Sequence, residues 1–235
     1  QTIHQFWKVR EALEKFEYPC FAEEKLVGQE FSALAFCDGS KVEMMPLAKD
    51  YKRRFDDDKG PNTGGMGAYT PVDDLLTEEE EEQVREWLTR VVQKLDYRGV
   101  LYGGFIKTCE GLKVLEFNCR LGDPEAQALL PLLKTDLAEI CMQCIKGQLE
   151  PVEWYSTKCV AVTLVNSGYP TTGWDTPQII TVNTDNVFIS ERGLKDGGRV
   201  ATVYGLGSTL EDARQHAYEE VDNVDFHDKD YRNDI

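Results

Sequence analysis

The chain has 235 residues, 41% of them hydrophobic, which is enough for one large or two small domains with buried cores. Its net charge of −16 argues against a general nucleic-acid or acidic-membrane surface, although a local cationic pocket could still take a small phosphorylated substrate. No apolar run approaches the roughly 20 residues that cross a bilayer, and no secretory signal is present, so we expect a cytoplasmic protein.

The first part of the chain alternates short apolar runs with polar stretches. The patterns predict a helix and then three strands, at residues 9–16, 20–22, 31–37 and 41–47. The dipeptide Asp38-Gly39 is a strong hairpin signal between the last two strands. Residues 49–69 form a long polar segment rich in glycine, for which we expect a functional or disordered loop.

A helix and a pair of strands follow this segment. Thr77 and Glu80 fit a capping box, which opens a helix whose apolar residues recur at helical spacing. Residues 102–107 and 112–117 predict two strands that pair through a tight turn.

The remaining elements divide at a linker over residues 148–156. Before it, residues 124–146 predict one helix, or two helices joined at a kink at Pro131, with Gly147 as the stop. After it, the sequence predicts four short strands and a helix, at residues 159–165, 179–182, 187–190, 199–204 and 209–221. This combination of short strands and a helix is typical of a small α+β domain.

The cysteines are odd in number, seven, and lie in largely apolar stretches. Both observations favour reduced thiols over a disulfide framework. Cys141 and Cys144 have CxxC spacing, but no second pair completes a four-sulfur zinc site. The three histidines are scattered along the chain. We therefore assign no zinc.

The most informative motif is KVLEFNCRLGDPE at residues 113–125. Glu116 and Asn118 alternate within a strand-like run and therefore point to the same face. Two oxygen ligands on one face, with Arg120 just beyond, suit a magnesium ion that bridges phosphate oxygens. The alternative is an edge strand whose polar residues face solvent.

Two further segments could bind a ligand. The loop at residues 62–67 has glycines that would let backbone amides approach an anion, and residues 50–54 concentrate cations just upstream. A solvated basic loop is the alternative. Residues 23–30 could present a backbone edge to a purine and Glu30 to a ribose, although a charged hairpin would have the same pattern. The order of these parts suits phosphoryl transfer, which needs positioning and charge neutralisation.

Two strings in this order, GPNTGGMGAY at residues 60–69 and LEFNCRLGDPE at residues 115–125, resemble the glycinamide ribonucleotide synthetase (phosphoribosylamine–glycine ligase) family of the ATP-grasp superfamily. The resemblance spans most of residues 21–235. It implies an α+β fold. The C-terminal portion of an ATP-grasp domain, an antiparallel sheet flanked by helices, would occupy residues 21–150, and a small β-rich α+β domain residues 151–235, after a poorly matched remnant at residues 1–20.

The resemblance implies ligation of glycine to 5-phosphoribosylamine in purine biosynthesis, with ATP and Mg²⁺ or Mn²⁺ as cofactors and glycyl phosphate as the intermediate. Glu116 and Asn118 would then bind the metal, and Arg120 and Asp123 would be catalytic, with Arg120 stabilising the transferred phosphoryl group. The nucleotide would contact Glu24, Lys25 and Leu26 at its adenine and Glu30 at its ribose. A further set of residues would contact the substrates, and the resemblance does not divide them between glycine and 5-phosphoribosylamine. These residues are Asp50, Lys52, Arg53, Asn62, Thr63, Gly64, Gly65, Met66 and Gly67.

Nothing in the chain resembles the family's first domain or the subdomain whose lysines grip the ATP phosphates. We therefore expect the isolated chain to bind ATP poorly and to be weakly active or inactive. Its expected partners are the two small substrates and either the missing N-terminal portion or other purine-pathway modules, with no nucleic acid and no membrane. The alternatives are another ATP-grasp amide-forming ligase, or a non-catalytic ATP-grasp-like module for association or regulation.

Overall fold

A computed structural model describes residues 24–174 and 178–235, which form a mixed α+β protein with mostly antiparallel sheets. The strand predicted at residues 20–22 and the helix predicted at residues 9–16 lie outside the described residues. Within the described ranges, none of the helices combines the length and the apolar character that crossing a membrane requires.

The elements are numbered in chain order. The strands are β1 Gln29–Asp38, β2 Val42–Met44, β3 Lys49–Asp50, β4 Arg53–Phe55, β5 Lys59–Asn62, β6 Gly67–Thr70, β7 Arg98–Thr108, β8 Gly111–Asn118, β9 Lys158–Asn166, β10 Thr181–Val182, β11 Val187–Ile189, β12 Arg199–Gly207, β13 Val224–Asp225 and β14 Lys229–Asp230. The helices are α1 Glu78–Leu95, α2 Glu125–Leu129, α3 Leu137–Lys146, α4 Glu191–Asp196 and α5 Leu210–Val221, with a 3-10 turn at Leu130–Leu132.

The first sheet has the order β2-β1-β7-β8 and is antiparallel throughout. It is covered on both faces, so β1 reads as an almost continuous apolar run. Alternate residues of β1 divide between two cores: Phe31 and Ala33 pack with α1, whereas Leu34 and Phe36 pack with α2 and α3. The capping box predicted at Thr77 is present and opens α1.

The second sheet has the order β11-β12-β9-β6-β3, with β14 also paired to β9. Helix α5 packs against β12 and β9 through Ala213, Ala217 and Val221. Strands β3 and β6 precede residue 150, yet β6 pairs with β9 beyond it. The two halves of the chain therefore share one sheet. This sheet crosses the predicted domain boundary at residue 150.

The structure differs from one sequence-based expectation and decides between the two alternatives of another, in favour of two helices. The segment at residues 49–69 is not a continuous loop, because it contains β3, β4, β5 and β6. The stretch at residues 124–146 is two helices separated by the 3-10 turn that contains Pro131, and Asp136 caps the second helix by accepting a hydrogen bond from the Glu139 amide. Helix α3 ends at Gly147, as predicted, with φ at 69°.

Candidate active site

Glu116 and Asn118 lie on one face of the first sheet, as their alternation predicted. A β-bulge in the β7–β8 pairing places Glu116 opposite Gly104 and Asn118 opposite Tyr102. Gly104 has no side chain to obstruct Glu116, and a Cβ there would approach the Glu116 Cγ to 3.3 Å. On the other side of β7, Gly104 faces Ser32, so Glu116 shares its face of the sheet with β1 residues.

The donor set at this face fits a hard divalent cation. Within residues 24–174 and 178–235, the side chains of Glu116 and Asn118 make no hydrogen bond or ion pair to protein, and the Asn118 Nδ2 is buried without a partner. A carboxylate and a carboxamide oxygen without protein partners are ligands that Mg²⁺ or Mn²⁺ accepts. No group of three histidine, cysteine or acidic residues surrounds them in the described ranges, so phosphate and water oxygens would complete the coordination.

A buried carboxylate that the sequence did not identify as a site residue lies beside this face. Glu125, at the start of α2, is 3% exposed and accepts a hydrogen bond of 2.8 Å from the Ser32 hydroxyl. The Ser32 hydroxyl also lies 3.0 Å from the Tyr102 hydroxyl. Burial, together with the charge of Glu125, raises the pKa of Tyr102 far above its ordinary value. The only sequence signal for Glu125 was its place at the end of the LGDPE string.

Glu30, the predicted ribose contact, lines one cleft of about 540 Å³ together with four of the predicted substrate residues, Asp50, Lys52, Arg53 and Asn62. The Lys52 ammonium lies 2.7 Å from the Glu30 carboxylate, so these two predicted contacts are ion-paired to each other. Burial of Asp50 raises its pKa to about 6; Lys52 opposes this shift, and Glu125 and Glu30 add to it. Burial lowers the pKa of Lys52, but the charges of Asp50 and Glu30 outweigh this effect, so its pKa is raised.

The cationic segment at residues 50–54 is only partly available to a ligand. Arg53 and Asn62 are exposed at the edge of the same cleft, and the Arg53 Nη1 donates to the Gly60 carbonyl at 2.8 Å. Arg54 is 1% exposed and donates to Asp230 at 2.6 Å. Arg54 therefore packs against the second half of the chain and is not available to a ligand. This corrects its assignment to an anion-binding surface.

The glycine-rich loop does not offer its amides to an anion. The Thr63, Gly64, Gly65 and Met66 amides donate, in order, to the Lys52 carbonyl, the Tyr169 hydroxyl, the Thr63 hydroxyl and the Tyr51 carbonyl. The Met66 side chain is fully buried in the core beneath the second sheet, and Gly67 lies within β6. Met66 and Gly67 therefore pack within the protein, and their contact with a substrate stays a prediction.

The two predicted catalytic residues have different surroundings. Arg120 is exposed, and its Nη1 donates to the Leu121 carbonyl at 2.9 Å, so the rest of its guanidinium is open to a ligand. Asp123 is held in place by Gln127 and by Arg199, a residue of β12 that the sequence did not identify as part of the site.

The predicted adenine contacts lie in an irregular segment that leads into β1. Glu24 and Lys25 are exposed and Leu26 is half-buried. Their backbone groups make no hydrogen bond within the described ranges. The segment enters β1 at the end that carries Glu30, which places the two sets of predicted nucleotide contacts next to each other in the chain.

A family profile described as the ATP-grasp (A) domain of phosphoribosylglycinamide synthetase matches residues 8–126, about half of the chain. The C domain of the same synthetase matches residues 159–235. The chain belongs to the phosphoribosylglycinamide synthetase family. The predicted family and the predicted α+β ATP-grasp fold followed by a C domain are thereby confirmed.

Individual members of the phosphoribosylglycinamide synthetase family match over almost the whole chain. A phosphoribosylamine–glycine ligase of Caldanaerobacter subterraneus is 41% identical over 229 residues, covering 91% of this chain and 55% of the relative. The trifunctional purine biosynthetic protein adenosine-3 of Drosophila pseudoobscura is 42% identical over 236 residues, which cover 91% of this chain and 17% of the relative. The crystal structure of the Thermotoga maritima phosphoribosylamine–glycine ligase superimposes with a TM-score of 0.81 at 34% identity. The superposition covers 91% of this chain and 57% of that ligase. The chain thus spans about half the length of the single-function ligases that it matches.

Proposed function

We propose that this chain is the C-terminal portion of a phosphoribosylamine–glycine ligase, which joins glycine to 5-phosphoribosylamine at the expense of ATP. The observation that carries the proposal is the pair of oxygen donors Glu116 and Asn118, which share one face of the first sheet and have no partner in the described residues. A binding or regulatory module would have no need of such a face. The membership of the family supplies the substrates.

The residues around this face have complementary roles in the proposed reaction. Glu116 and Asn118 would hold Mg²⁺ or Mn²⁺, which when bound neutralises charge on the ATP phosphates. Arg120, with its guanidinium open to solvent, would bind the phosphoryl group as it transfers. The Glu24–Leu26 segment and Glu30 would hold the adenine and the ribose.

The reaction proceeds in two steps. A carboxylate oxygen of glycine attacks the γ-phosphorus of ATP, the bond to the β-phosphate oxygen breaks, and ADP leaves. The amine of 5-phosphoribosylamine then attacks the carbonyl carbon of glycyl phosphate, a proton leaves the nitrogen, and phosphate departs. The cleft that contains Asp50 and Lys52 has charges of both signs, which suits a zwitterionic amino acid close to the metal face.

The proposed activity needs parts beyond this chain, because the related ligases are nearly twice as long. We propose residues 21–150 as the ATP-grasp portion, which the profile match extends back to residue 8, and residues 151–235 as the C-terminal domain. Alone, the chain should release little ADP in response to glycine. The remainder would come from a preceding segment or a separate polypeptide.

The test fuses the chain to the N-terminal part of the Caldanaerobacter relative that it does not cover. The fusion should form ADP over many turnovers only when glycine and 5-phosphoribosylamine are both supplied, since glycine alone supports no more than the first step. Glu116→Gln and Asn118→Leu should each weaken Mn²⁺ binding, followed by electron paramagnetic resonance, by roughly tenfold or more, with a parallel loss of ADP formation.

The matched control is Glu110→Gln, at the exposed turn of the same β7–β8 hairpin, which should behave as the parent. Full Mn²⁺ affinity and full activity in both site variants would rule out the proposed metal face. ADP formation with a different amine or acid would instead point to another ATP-grasp ligase.

A further inference from the structure

One guanidinium group from the second half of the chain joins two motifs of the first half. The Arg199 Nη1 donates to the Gly64 carbonyl at 2.9 Å, to the Asp123 carbonyl at 2.7 Å and to the Asp123 Oδ1 at 3.0 Å. The glycine-rich loop and the LGDPE turn are thus held together by β12, which lies more than 70 residues beyond either motif.

The backbone around Arg199 is shaped to direct this side chain. The pairing of β12 with β9 shifts register between Arg199 and Ala201, and such a bulge re-aims a side chain relative to a regular strand. Two glycines with positive φ, Gly197 and Gly198, precede it. The Arg199 side chain is 27% exposed, so its ion pair with Asp123 is partly shielded from solvent and salt.

The second half of the chain also forms hydrogen bonds with the backbone of the glycine-rich loop. Tyr169, also from the second half, accepts the Gly64 amide at 2.8 Å, while Arg199 takes the Gly64 carbonyl. Gly65 lies against Pro124, and a Cβ at Gly65 would collide with the Pro124 ring. The loop is therefore a rigid support for the turn that carries Asp123.

This support leaves two oxygen acceptors without partners. The Asp123 Oδ1 accepts from Arg199 and from the Gln127 Nε2 at 3.0 Å, whereas the Asp123 Oδ2 has no donor within the described ranges. The Gln127 Oε1 is buried and also lacks a partner. Both residues line a cleft of about 640 Å³ with Arg199. The Asp123 side chain is 53% exposed, so its Oδ2 is open to a donor in the cleft, whereas the buried Gln127 Oε1 is costly to leave without a donor.

We propose that Arg199 is a positioning residue, which fixes Asp123 so that its free carboxylate oxygen and the Gln127 carbonyl accept the amine or hydroxyl donors of the amine substrate. The assignment of that substrate rests on the proposed function, whereas the positioning itself does not. Glycine is the poorer occupant, because its ammonium is its one donor group, whereas the sugar amine offers hydroxyl donors besides its amine. The cleft beside Arg199 thus takes the sugar amine, and the cleft of Asp50 and Lys52 takes glycine.

The first experiment measures hydrogen–deuterium exchange on the chain itself. Arg199→Ala should accelerate exchange about tenfold or more in the segments at residues 62–67 and 121–127, since several hydrogen bonds to a charged donor are lost at once. Arg199→Lys should give an intermediate effect. Helix α1 should be unchanged, and Arg85→Ala, on the outer face of α1, should match the parent. Unchanged exchange in the two segments, or an equal rise throughout the chain, would overturn the positioning role.

The second experiment uses the fusion enzyme and separates the two substrates. Arg199→Lys and Gln127→Leu should each raise KM for 5-phosphoribosylamine by roughly tenfold while KM for glycine changes less than about twofold. Equal increases for both substrates would show that Arg199 only stabilises the fold. If the parent fusion is inactive, the proposed function fails, and the exchange experiment alone decides whether Arg199 positions Asp123.

Discussion

Asp50 is a site residue whose pKa is set by the fold. Its carboxyl group is half-buried next to Glu125 and Glu30, and burial raises its pKa from 3.8 to about 6 despite the opposing charge of Lys52. The folded protein therefore binds a proton at Asp50 more tightly than the unfolded chain does. As a result, Asp50 lowers the free energy of unfolding as pH rises from about 4 to about 6, and the full cost persists above that window.

Asp50→Asn should remove this dependence. Relative to the parent, the variant should gain stability progressively between about pH 4 and pH 6, reaching up to about 3 kcal/mol at pH 7. Urea unfolding at pH 4.5 and pH 7 measures the difference. Asp222→Asn, an exposed change at the end of α5, is the control and should show no such trend. A stability difference that is the same at both pH values would contradict the assignment.

The site residues that the sequence could predict are those whose geometry is local. Glu116 and Asn118 share a face because a strand alternates with a period of two, and this needs no knowledge of the rest of the chain. Glu125 and Arg199 could not be found in this way. Glu125 gains its role from Ser32, 93 residues away, and Arg199 from Asp123, 76 residues away. Such partners become visible only when the sheets have assembled.

At the scale of elements, the glycine-rich loop is fixed by packing as much as by backbone freedom. Gly65 has φ at 119° and no room for a Cβ beside Pro124, whereas Gly111, in the β7–β8 turn, has φ at 109° and open space around it. The two glycines share a left-handed conformation and differ in their surroundings. They therefore separate the cost of strain from the cost of a clash.

Gly111→Ala should cost about 1–2 kcal/mol of stability, because an alanine there bears only the strain of positive φ. Gly65→Ala should cost a further 1–3 kcal/mol or so, since Pro124 must also move. Chemical denaturation measures both. In the fusion enzyme, Gly65→Ala should also reduce activity, while Gly111→Ala should retain it. Equal costs for the two substitutions would mean that the Pro124 contact adjusts freely.

The elements that the sequence predicted well are long and periodic. Helix α1 was predicted from its capping box and its apolar spacing, and β1, β7, β8 and β9 were predicted from apolar runs. The strands between residues 49 and 70 were missed because each has two to four residues, too few for a period of two to be recognised. Strands β3 and β6 join the second sheet because β6 pairs with β9, far along the chain, whereas β4 and β5 pair with each other.

At the scale of the whole molecule, the last residues are anchored to the edge of the substrate cleft. Arg232 is 1% exposed and donates to the Asp58 and Asp234 carboxylates and to the Arg53 carbonyl. Its guanidinium also lies 4.9 Å from the centre of the Tyr51 ring. The β4–β5 hairpin, which presents Arg53 and Asn62, is thereby held by the C-terminal segment.

Arg232→Ala should lower the free energy of unfolding by about 2–4 kcal/mol, because it removes a buried side chain and several charge-assisted hydrogen bonds. Hydrogen exchange should rise first in the β4–β5 hairpin and only slightly in α1. Arg192→Ala, an exposed arginine of α4, is the matched control and should cost less than about 0.5 kcal/mol. If the hairpin kept its protection in Arg232→Ala, the anchoring role would be wrong.

The attachment of the C-terminal segment to an early hairpin also has a consequence for biosynthesis. Residues 53–62 leave the ribosome long before their anchor, since Arg232, Asn233 and Asp234 follow them by about 175 positions. Domains generally fold as units during synthesis, but this hairpin has to wait for residues about 175 positions later. The first sheet can form on the nascent chain, whereas the substrate cleft is completed only after residues 232–234 have emerged. A chaperone that shields the incomplete cleft would therefore act until that segment is available.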